Sequence, residues 1–207
     1  MRTRRFLSTV PAEMKEHVAQ SGDDFATSTH SIQTKGIIMK LASLRYLYID
    51  ELQDLYSAET QLTEALPQMA VAARNPDLKK AFRDHLDQTY GHIQRLETIF
   101  DQLQVTPVGE ICEAMQGLIN ESQEMIDDYG DPDVRDVALI ACAQRVEHYE
   151  MAAYGATRTF AKHLGYDEHV KLLQDTLNEE GEADKMLTTI AEGGWFTSGL
   201  NQEAAHK

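Results

Sequence analysis

Four helical stripes of apolar residues in this chain are each interrupted by a residue that can carry a charge. The interrupting residues stand where helical spacing calls for an apolar side chain, and they are Glu59, His85, Glu150 and Glu180. An ionised carboxylate in an apolar core is strongly disfavoured unless a partner neutralises it, and a metal ion is one such partner. Four helices that each direct such a group inward are typical of a bundle built around a metal site.

Cap and turn residues divide the chain into helices from residue 41 onward. Asn75-Pro76 and Asp131-Pro132 each place proline directly after a capping residue, while Gly165 ends one helix and Asp167 can cap the next. These signals predict helices over residues 41–73, 77–104, 110–128, 134–164 and 167–192. Tight joints pair the first two and the last two long helices, and the stretch 105–133 can cross over with its own short helix. The predicted fold is all-α, a ferritin-like antiparallel four-helix bundle with a short extra helix in the long crossover.

The two ends of the chain fall outside this pattern. Residues 7–38 mix Ser, Thr, Gln, Asp and Gly without a helical or strand period, and the natural start is either Met1 or Met39. We therefore expect residues 1–38 to be a flexible N-terminal extension, 39–194 the four-helix bundle and 195–207 a C-terminal tail. The positive start lacks the apolar core of a signal peptide, and no run approaches the roughly 20 apolar residues of a membrane span.

Charge and cysteine content narrow the class of protein further. Of 207 residues, 34 are acidic and 19 are Lys or Arg, which gives a net charge of −15 and no basic patch suited to a phosphate backbone. Cys112 and Cys142 form no CxxC motif and are typical of buried thiols in a cytosolic protein. We therefore expect a cytoplasmic protein that binds neither nucleic acid nor membranes.

The spacing of the acidic residues suggests how a metal would be held. Glu147 and Glu150 share a helix face because they are three residues apart, and Glu180 has Glu179 and Asp184 beside it. Oxygen-rich ligands with an imidazole suit iron(II), manganese or zinc. Two ions would need bridging carboxylates, and a histidine completing one ion would have its second nitrogen held by another polar group. Candidates for that outer role include Tyr56, Tyr149 and Tyr154.

Simpler interpretations apply to each residue taken alone. A glutamate on a helix stripe is usually a boundary residue that reaches solvent, a core histidine is more often hydrogen-bonded than metal-bound, and the acidic run 179–184 has the pattern of a solvated face. The coincidence of such groups at mid-length on four helices favours a metal site. The chain nevertheless lacks the Glu-x-x-His motif that most di-iron bundles carry on two helices.

Four segments resemble the YciE/YciF family of ferritin-like proteins over residues 42–192. They are Tyr56-Ser-Ala-Glu-Thr-Gln-Leu, His85-Leu-Asp-Gln-Thr, Glu147-His-Tyr-Glu-Met-Ala-Ala-Tyr-Gly and Asn178-Glu-Glu. The resemblance implies a usually dimeric bundle that is related to rubrerythrins and associated with bacterial stress responses. It also implies a metal-ligand set, which is Glu59, His85, Glu147, Glu150, Glu179 and Glu180. At position 88 the family often has Glu, so Gln88 predicts that one of the two metal positions is weak.

Two classes of function follow from these observations. In the first, the chain is a di-metal oxidoreductase that holds two iron ions, with manganese or zinc as alternatives, and oxidises metal or removes oxygen or peroxide. In the second, it is a metal-independent stress scaffold or partner-binding bundle; a storage cage is a weaker third idea. Tyr46, Leu47 and Tyr48 are bulky on more than one face of the first helix, which predicts a homodimer.

Overall fold

The computed structural model describes residues 40–194 and 197–207. The predicted extension 1–38 therefore lies outside the described residues. The helices are α1 (Leu44–Ala72), α2 (Pro76–Leu103), α3 (Glu113–Asp127), α4 (Pro132–His163), α5 (Asp167–Glu192) and α6 (Leu200–Ala204). A 3₁₀ turn, Lys40–Ala42, precedes α1, and the two-residue strands β1 (Gly193–Gly194) and β2 (Thr197–Ser198) pair antiparallel between α5 and α6. The all-α prediction is confirmed, and so is the order of five helices.

The helix ends follow from identifiable capping residues. Helix α1 begins at Leu44 rather than at residue 41, because Ser43 caps it and its side chain accepts a hydrogen bond from the backbone N–H of Tyr46 at 3.2 Å. Asn75 caps α2 in the predicted way, with Pro76 as the first helical residue. Asp167 does not cap α5, which was the expectation. It is instead the first residue of that helix, where a carboxylate favours the positive end of the helix dipole.

The four long helices form the bundle, and short joints fix their order. Residues 73–75 join α1 to α2 and residues 164–166 join α4 to α5, so each pair is antiparallel. Helices α1 and α4 pack together, as do α2 and α5, which closes the bundle. The crossover helix α3 packs on α1 and α4, and α6, in the segment predicted as a tail, packs on α4 and α5. No helix in the described part of the chain is long and apolar enough to cross a membrane.

The core of the bundle has two apolar clusters with a polar layer between them. One cluster, at the end where α1 turns into α2, includes Leu66, Phe82, Leu139 and Leu187. The other, at the opposite end, includes Tyr48, Leu52, Phe100, Tyr154 and Leu173. Each long helix passes from one cluster to the other, and its mid-length residues lie between them. The interruptions of the apolar stripes therefore fall at one common level of the bundle.

Candidate metal centre

Six ionisable side chains meet in the polar layer at the middle of the bundle, and every long helix contributes at least one. They are Glu59 of α1, His85 and His92 of α2, Glu147 and Glu150 of α4, and Glu180 of α5. All six are buried, and four of them have no exposed surface at all. Helical spacing explains the convergence, because each residue continues the inward-facing stripe of its own helix.

Four of these residues form a first group of possible ligands: His85, Glu147, Glu150 and Glu180. One ligand atom from each lies within 4.8 Å of the other three. The Nε2 atom of His85 is 3.5 Å from Oε1 of Glu147 and 3.7 Å from Oε2 of Glu180. Three carboxylates and one imidazole are a ligand set that suits iron(II), manganese or zinc.

A second group consists of Glu59, His92 and Glu180. The Nδ1 atom of His92 is 3.2 Å from Oε1 of Glu59 and 3.0 Å from Oε1 of Glu180. Glu180 therefore belongs to both groups, with Oε2 directed to His85 and Oε1 directed to His92. A carboxylate with one oxygen facing each group is the arrangement that a bridging ligand between two ions requires.

The layer contains many buried polar atoms that lack a hydrogen-bond partner within the described chain. Both carboxylate oxygens of Glu150 are among them, as are Oε2 of Glu180, one oxygen each of Glu59 and Glu147, and Nε2 of His85. Leaving one buried polar atom unpaired costs about 1–3 kcal/mol, and more if the group is charged. So many lone-pair donors directed into one space fit a cation, and the residues present are therefore suited to hold a metal ion.

Burial and mutual repulsion govern the protonation of the first group. Burial, followed by the nearby charge of Glu180, raises the pKa of Glu147 and of Glu150 well above the ordinary range of a glutamate. For Glu180, burial alone would raise the pKa, but its contacts with His92 and the charge of His85 outweigh burial and lower it. Without a cation, the carboxylates cannot all carry their charge, and Glu180 is the one that keeps it most readily.

Histidine 92 is the local counter-charge of the second group. Burial tends to lower the pKa of His92, but the carboxylates of Glu180 and Glu59 outweigh burial and raise that pKa to about 11. The pKa of Glu59 is itself raised by burial, although His92 and the Tyr154 hydroxyl oppose that increase. The imidazole thus stabilises negative charge that burial would otherwise remove.

A second ring of contacts orients the two imidazoles. The Nε2 atom of His92 lies 2.9 Å from Oε2 of Glu179, and Arg95 donates two hydrogen bonds of 2.7 Å to the same carboxylate. The Nδ1 atom of His85 lies 3.4 Å from Oε1 of Gln88. In both rings, one nitrogen is held by an outer polar group while the other faces the carboxylates, which is how metal-binding histidines are usually oriented. The hydroxyl of Tyr154 donates to Oε1 of Glu59 at 2.5 Å.

The six residues that the sequence predicts as metal ligands do not all lie in the polar layer. Five of the six predicted ligands meet in the layer, whereas Glu179 lies outside both groups and is bound to Arg95. The remaining candidates for outer contacts, Tyr56 and Tyr149, bond instead to Glu97 and to Asp54 with Cys112. His92 was not among the predicted ligands. Its spacing of seven residues from His85, two helical turns on the same face, is the signal that could have identified it.

A bundle with this order of helices and a central layer of carboxylates and imidazoles defines a ferritin-like protein whose centre could hold a metal ion. The chain matches the family described as "Domain of unknown function (DUF892)" over residues 43–205. It is also 41% identical to protein YciF of Escherichia coli strain K12 over 170 residues, which are 82% of this chain and 99% of that protein. The chain therefore belongs to the DUF892 family and is a relative of YciF.

Solved structures support the same assignment. The crystal structure of the E. coli stress protein YciF has a TM-score of 0.72 and 39% identity, and the match covers 81% of this chain and all of that chain. YcfI of Rhodopseudomonas palustris, suggested to be a structural protein, has a TM-score of 0.72 and 40% identity over 74% of this chain and 98% of its own. The protein XCC3681 of Xanthomonas campestris, at 20% identity and a TM-score of 0.57 over 70% of this chain and 89% of its own, shares the fold.

Proposed function

We propose that this chain is a non-haem di-metal carboxylate protein of a bacterial stress response. Its bound ions, which we expect to be iron, would take part in the oxidation of metal ions or in the removal of oxygen or peroxide. The observation that carries the proposal is the set of buried carboxylate and imidazole atoms, contributed by all four long helices, that have no hydrogen-bond partner among the described residues. Membership of the YciF family, with E. coli YciF described as a stress protein, supports the physiological context.

The donor set favours particular metals. Four carboxylates and two imidazoles are oxygen-rich ligands, and hard divalent ions such as iron(II) and manganese(II) accept them readily, as does zinc. His85, Glu147, Glu150 and Glu180 would hold one ion, and Glu59, His92 and Glu180 would hold the other. In this proposal Glu179 and Gln88 act through the imidazoles rather than as ligands, because each contacts the nitrogen that faces away from the carboxylates. In that case, glutamine at position 88 does not weaken the binding of either ion.

The residues around the centre prepare it for redox chemistry. A bound pair of redox-active ions would supply the electrons that reduce dioxygen or peroxide. The two apolar clusters cover the layer at both ends of the bundle, and their low dielectric strengthens the charge interactions inside it. The Tyr154 hydroxyl holds its proton against Glu59, because burial and the Glu59 charge raise the pKa of that phenol well above its ordinary value. Tyr154 thereby fixes one oxygen of Glu59 and leaves the other free to bind.

Elemental analysis of protein purified without a chelator tests the proposal. We expect about two ions of iron or manganese per chain, and consumption of oxygen or peroxide after loading with iron(II). Glu150→Leu should reduce both the metal content and the consumption, whereas Glu64→Leu, at an exposed position of α1, should change neither. Absence of bound metal after reconstitution with iron, manganese and zinc would exclude this function.

A metal-independent scaffold is the second candidate, and one observation favours it. The raised pKa values of Glu147 and Glu150 allow both carboxyls to be neutral, while His92 can balance the charge of Glu180. The bundle could therefore remain folded without any ion. A protein that binds no metal yet stays folded and dimeric would support this second function.

We further propose a homodimer in the cytoplasm. Tyr48 is fully buried within the bundle, whereas Tyr46 is 46% exposed and Leu41, just before α1, is 84% exposed. These exposed apolar side chains lie near the start of α1 and would be covered by a second copy. Both cysteines are free and buried, which suits a reducing compartment. Sedimentation at micromolar concentration should give twice the mass of the chain, and a monomer would contradict the dimer.

A further inference from the structure

A cavity of about 470 Å³ lies beside the polar layer, between α2, α5 and the C-terminal segment. Its apolar wall includes Phe82, Leu187 and Leu200, and His85 and Glu147 of the first ligand group also line it. The cavity therefore extends from the surface of the bundle to the candidate metal centre.

Residual solvent exposure identifies this cavity as the open side of the centre. Glu59, His92, Glu150 and Glu180 are 0% exposed, whereas His85 is 5% and Glu147 is 2% exposed. The two residues that retain some exposure are also the two that line the cavity. Each contributes a buried atom without a hydrogen-bond partner in the described chain, Nε2 of His85 and Oε2 of Glu147.

The charge around the cavity is predominantly negative. Among the described residues that line it, Lys80 is the only lysine or arginine, whereas four are exposed carboxylates: Asp77, Asp84, Glu182 and Glu203. Lys80 pairs with Asp84, and Lys185 pairs with Glu182. A cleft lined by one sign of charge concentrates ions of the opposite sign and raises their rate of entry.

We propose that this cavity is the entry path by which a divalent cation reaches the centre, with His85 and Glu147 as the first inner groups that it meets. The carboxylates that line the cavity disfavour anions, and the two inner residues, His85 and Glu147, each carry an unpartnered lone-pair donor of the kind that binds a cation. The inference rests on the proposed metal function, because it assigns the route by which that same centre is loaded. A usable metal site also needs such a path.

Two kinds of variant separate access from affinity. Ala183 lines the cavity on α5, so Ala183→Phe should obstruct it, with Ala114→Phe on the exposed face of α3 as the matched control. Asp84→Asn combined with Glu182→Gln, here called the rim pair, removes two exposed carboxylate charges that line the cavity, one on α2 and one on α5. Its control, Glu64→Gln combined with Glu113→Gln, removes the same charge from exposed positions that do not line the cavity.

Stopped-flow absorbance of full-length, metal-free protein mixed with Co(II), followed by a chelator chase, measures both directions of exchange. Ala183→Phe should slow uptake and release alike, by about tenfold, because an obstruction raises the barrier for both. The rim pair should slow uptake by about three- to tenfold at low ionic strength, and the difference should vanish at high salt. In both variants the cobalt content at equilibrium should equal that of the parent.

The outcomes distinguish this inference from the function on which it rests. If parent, Ala183→Phe and the rim pair bind cobalt equally fast, the entry path is overturned while the metal centre stands. If Ala183→Phe binds less cobalt at equilibrium, its packing has changed, and the rim pair alone decides. A parent protein that takes up no cobalt, iron or manganese at all would overturn both.

Discussion

Two buried carboxylates on the same helix, Asp136 and Glu150 of α4, differ in their surroundings. Asp136 is 1% exposed, and its two oxygens accept hydrogen bonds of 2.7 Å from the backbone N–H groups of Arg74 and Asn75. Glu150 is 0% exposed, and neither of its oxygens has a hydrogen-bond partner in the described chain. Asp136 thus completes the turn between α1 and α2 as the protein stands, whereas Glu150 needs a cation or a proton.

Burial alone therefore does not identify a functional acid. A fully satisfied buried carboxylate contributes to the fold, while an unsatisfied one weakens the fold unless a ligand compensates for it. Replacing each residue should therefore have opposite effects on the metal-free protein, and only one of the two replacements should respond to metal.

The largest effect is expected at Glu150. With metal at about a thousand times its dissociation constant, Glu150→Leu should lose most of a binding contribution of roughly 4 kcal/mol to the free energy of unfolding. In metal-free protein the same variant should be more stable than the parent by about 1–4 kcal/mol, because a buried acid is replaced by an apolar residue of similar volume. Thermal melts with and without iron(II) or manganese(II) measure both signs. A variant whose melting temperature rises on addition of metal as much as that of the parent would contradict the ligand role.

The next largest effect is expected at Asp136. Asp136→Ala leaves the backbone N–H groups of Arg74 and Asn75 without their acceptor and should lower the free energy of unfolding by about 3 kcal/mol. Denaturant unfolding should give the same loss with and without metal. Asp133→Ala, whose ion pairs with Arg74 and Lys207 lie at the surface, is the control and should change the free energy of unfolding far less than Asp136→Ala does. If the loss of stability in Asp136→Ala depended on metal, Asp136 would not differ from Glu150 in the way we propose.

A smaller effect is expected at Glu179, whose carboxylate is hydrogen-bonded like that of Asp136 but also contacts a residue of the candidate metal centre. Its carboxylate is held by Arg95 and in turn orients His92. Glu179→Gln should weaken metal affinity by about 10- to 100-fold without changing the number of ions bound at saturation. Metal titration against a competing chelator measures this, with Glu192→Gln on the exposed end of α5 as the control. Loss of a whole equivalent of metal would instead make Glu179 a ligand.

The smallest effect is expected at His169, a buried histidine whose two ring nitrogens both have partners, as the two oxygens of Asp136 do. His169 contacts the hydroxyl of Tyr48 through Nδ1 at 3.0 Å and Oε1 of Gln102 through Nε2 at 2.8 Å. Burial lowers the pKa of His169, although the charge of Glu168 opposes this. The unfolded chain therefore binds a proton at a higher pH than the folded chain does, and this part of the stability is lost as pH falls below about 6.5.

Comparison with a variant isolates that contribution from the other histidines. The stability advantage of the parent over His169→Gln should shrink as pH falls from 7 to 5, as measured by denaturant unfolding at each pH. An advantage that grows on acidification would show that the folded state favours the charged ring.

The sequence predicted the bundle well because its signals are local. Asn75-Pro76 and Asp131-Pro132 mark helix starts through the geometry of proline, and Gly165 adopts a left-handed conformation, with φ of 78°, at the end of α4. Periodicity also placed Glu59 and Glu180 on inward faces, since each replaces an apolar residue of its stripe.

The remaining features depend on contacts between distant segments. Consecutive residues on a helix point about 100° apart, so only one of Glu179 and Glu180 can face the layer, and the packing of α5 against α2 decides which. The partners of Asp136 lie more than 60 residues earlier in the chain, and no local pattern announces them. The contacts of His92 with Glu59 and Glu180 likewise form only when α1, α2 and α5 pack together.

X-ray diffraction from crystals of iron- or manganese-loaded protein, recorded at the absorption edge of the metal, would locate the ions themselves. We expect two anomalous peaks per chain, one among His85, Glu147, Glu150 and Glu180 and the other among Glu59, His92 and Glu180. Loaded crystals without an anomalous peak in this layer, or with metal bound only elsewhere on the chain, would contradict the proposed metal centre.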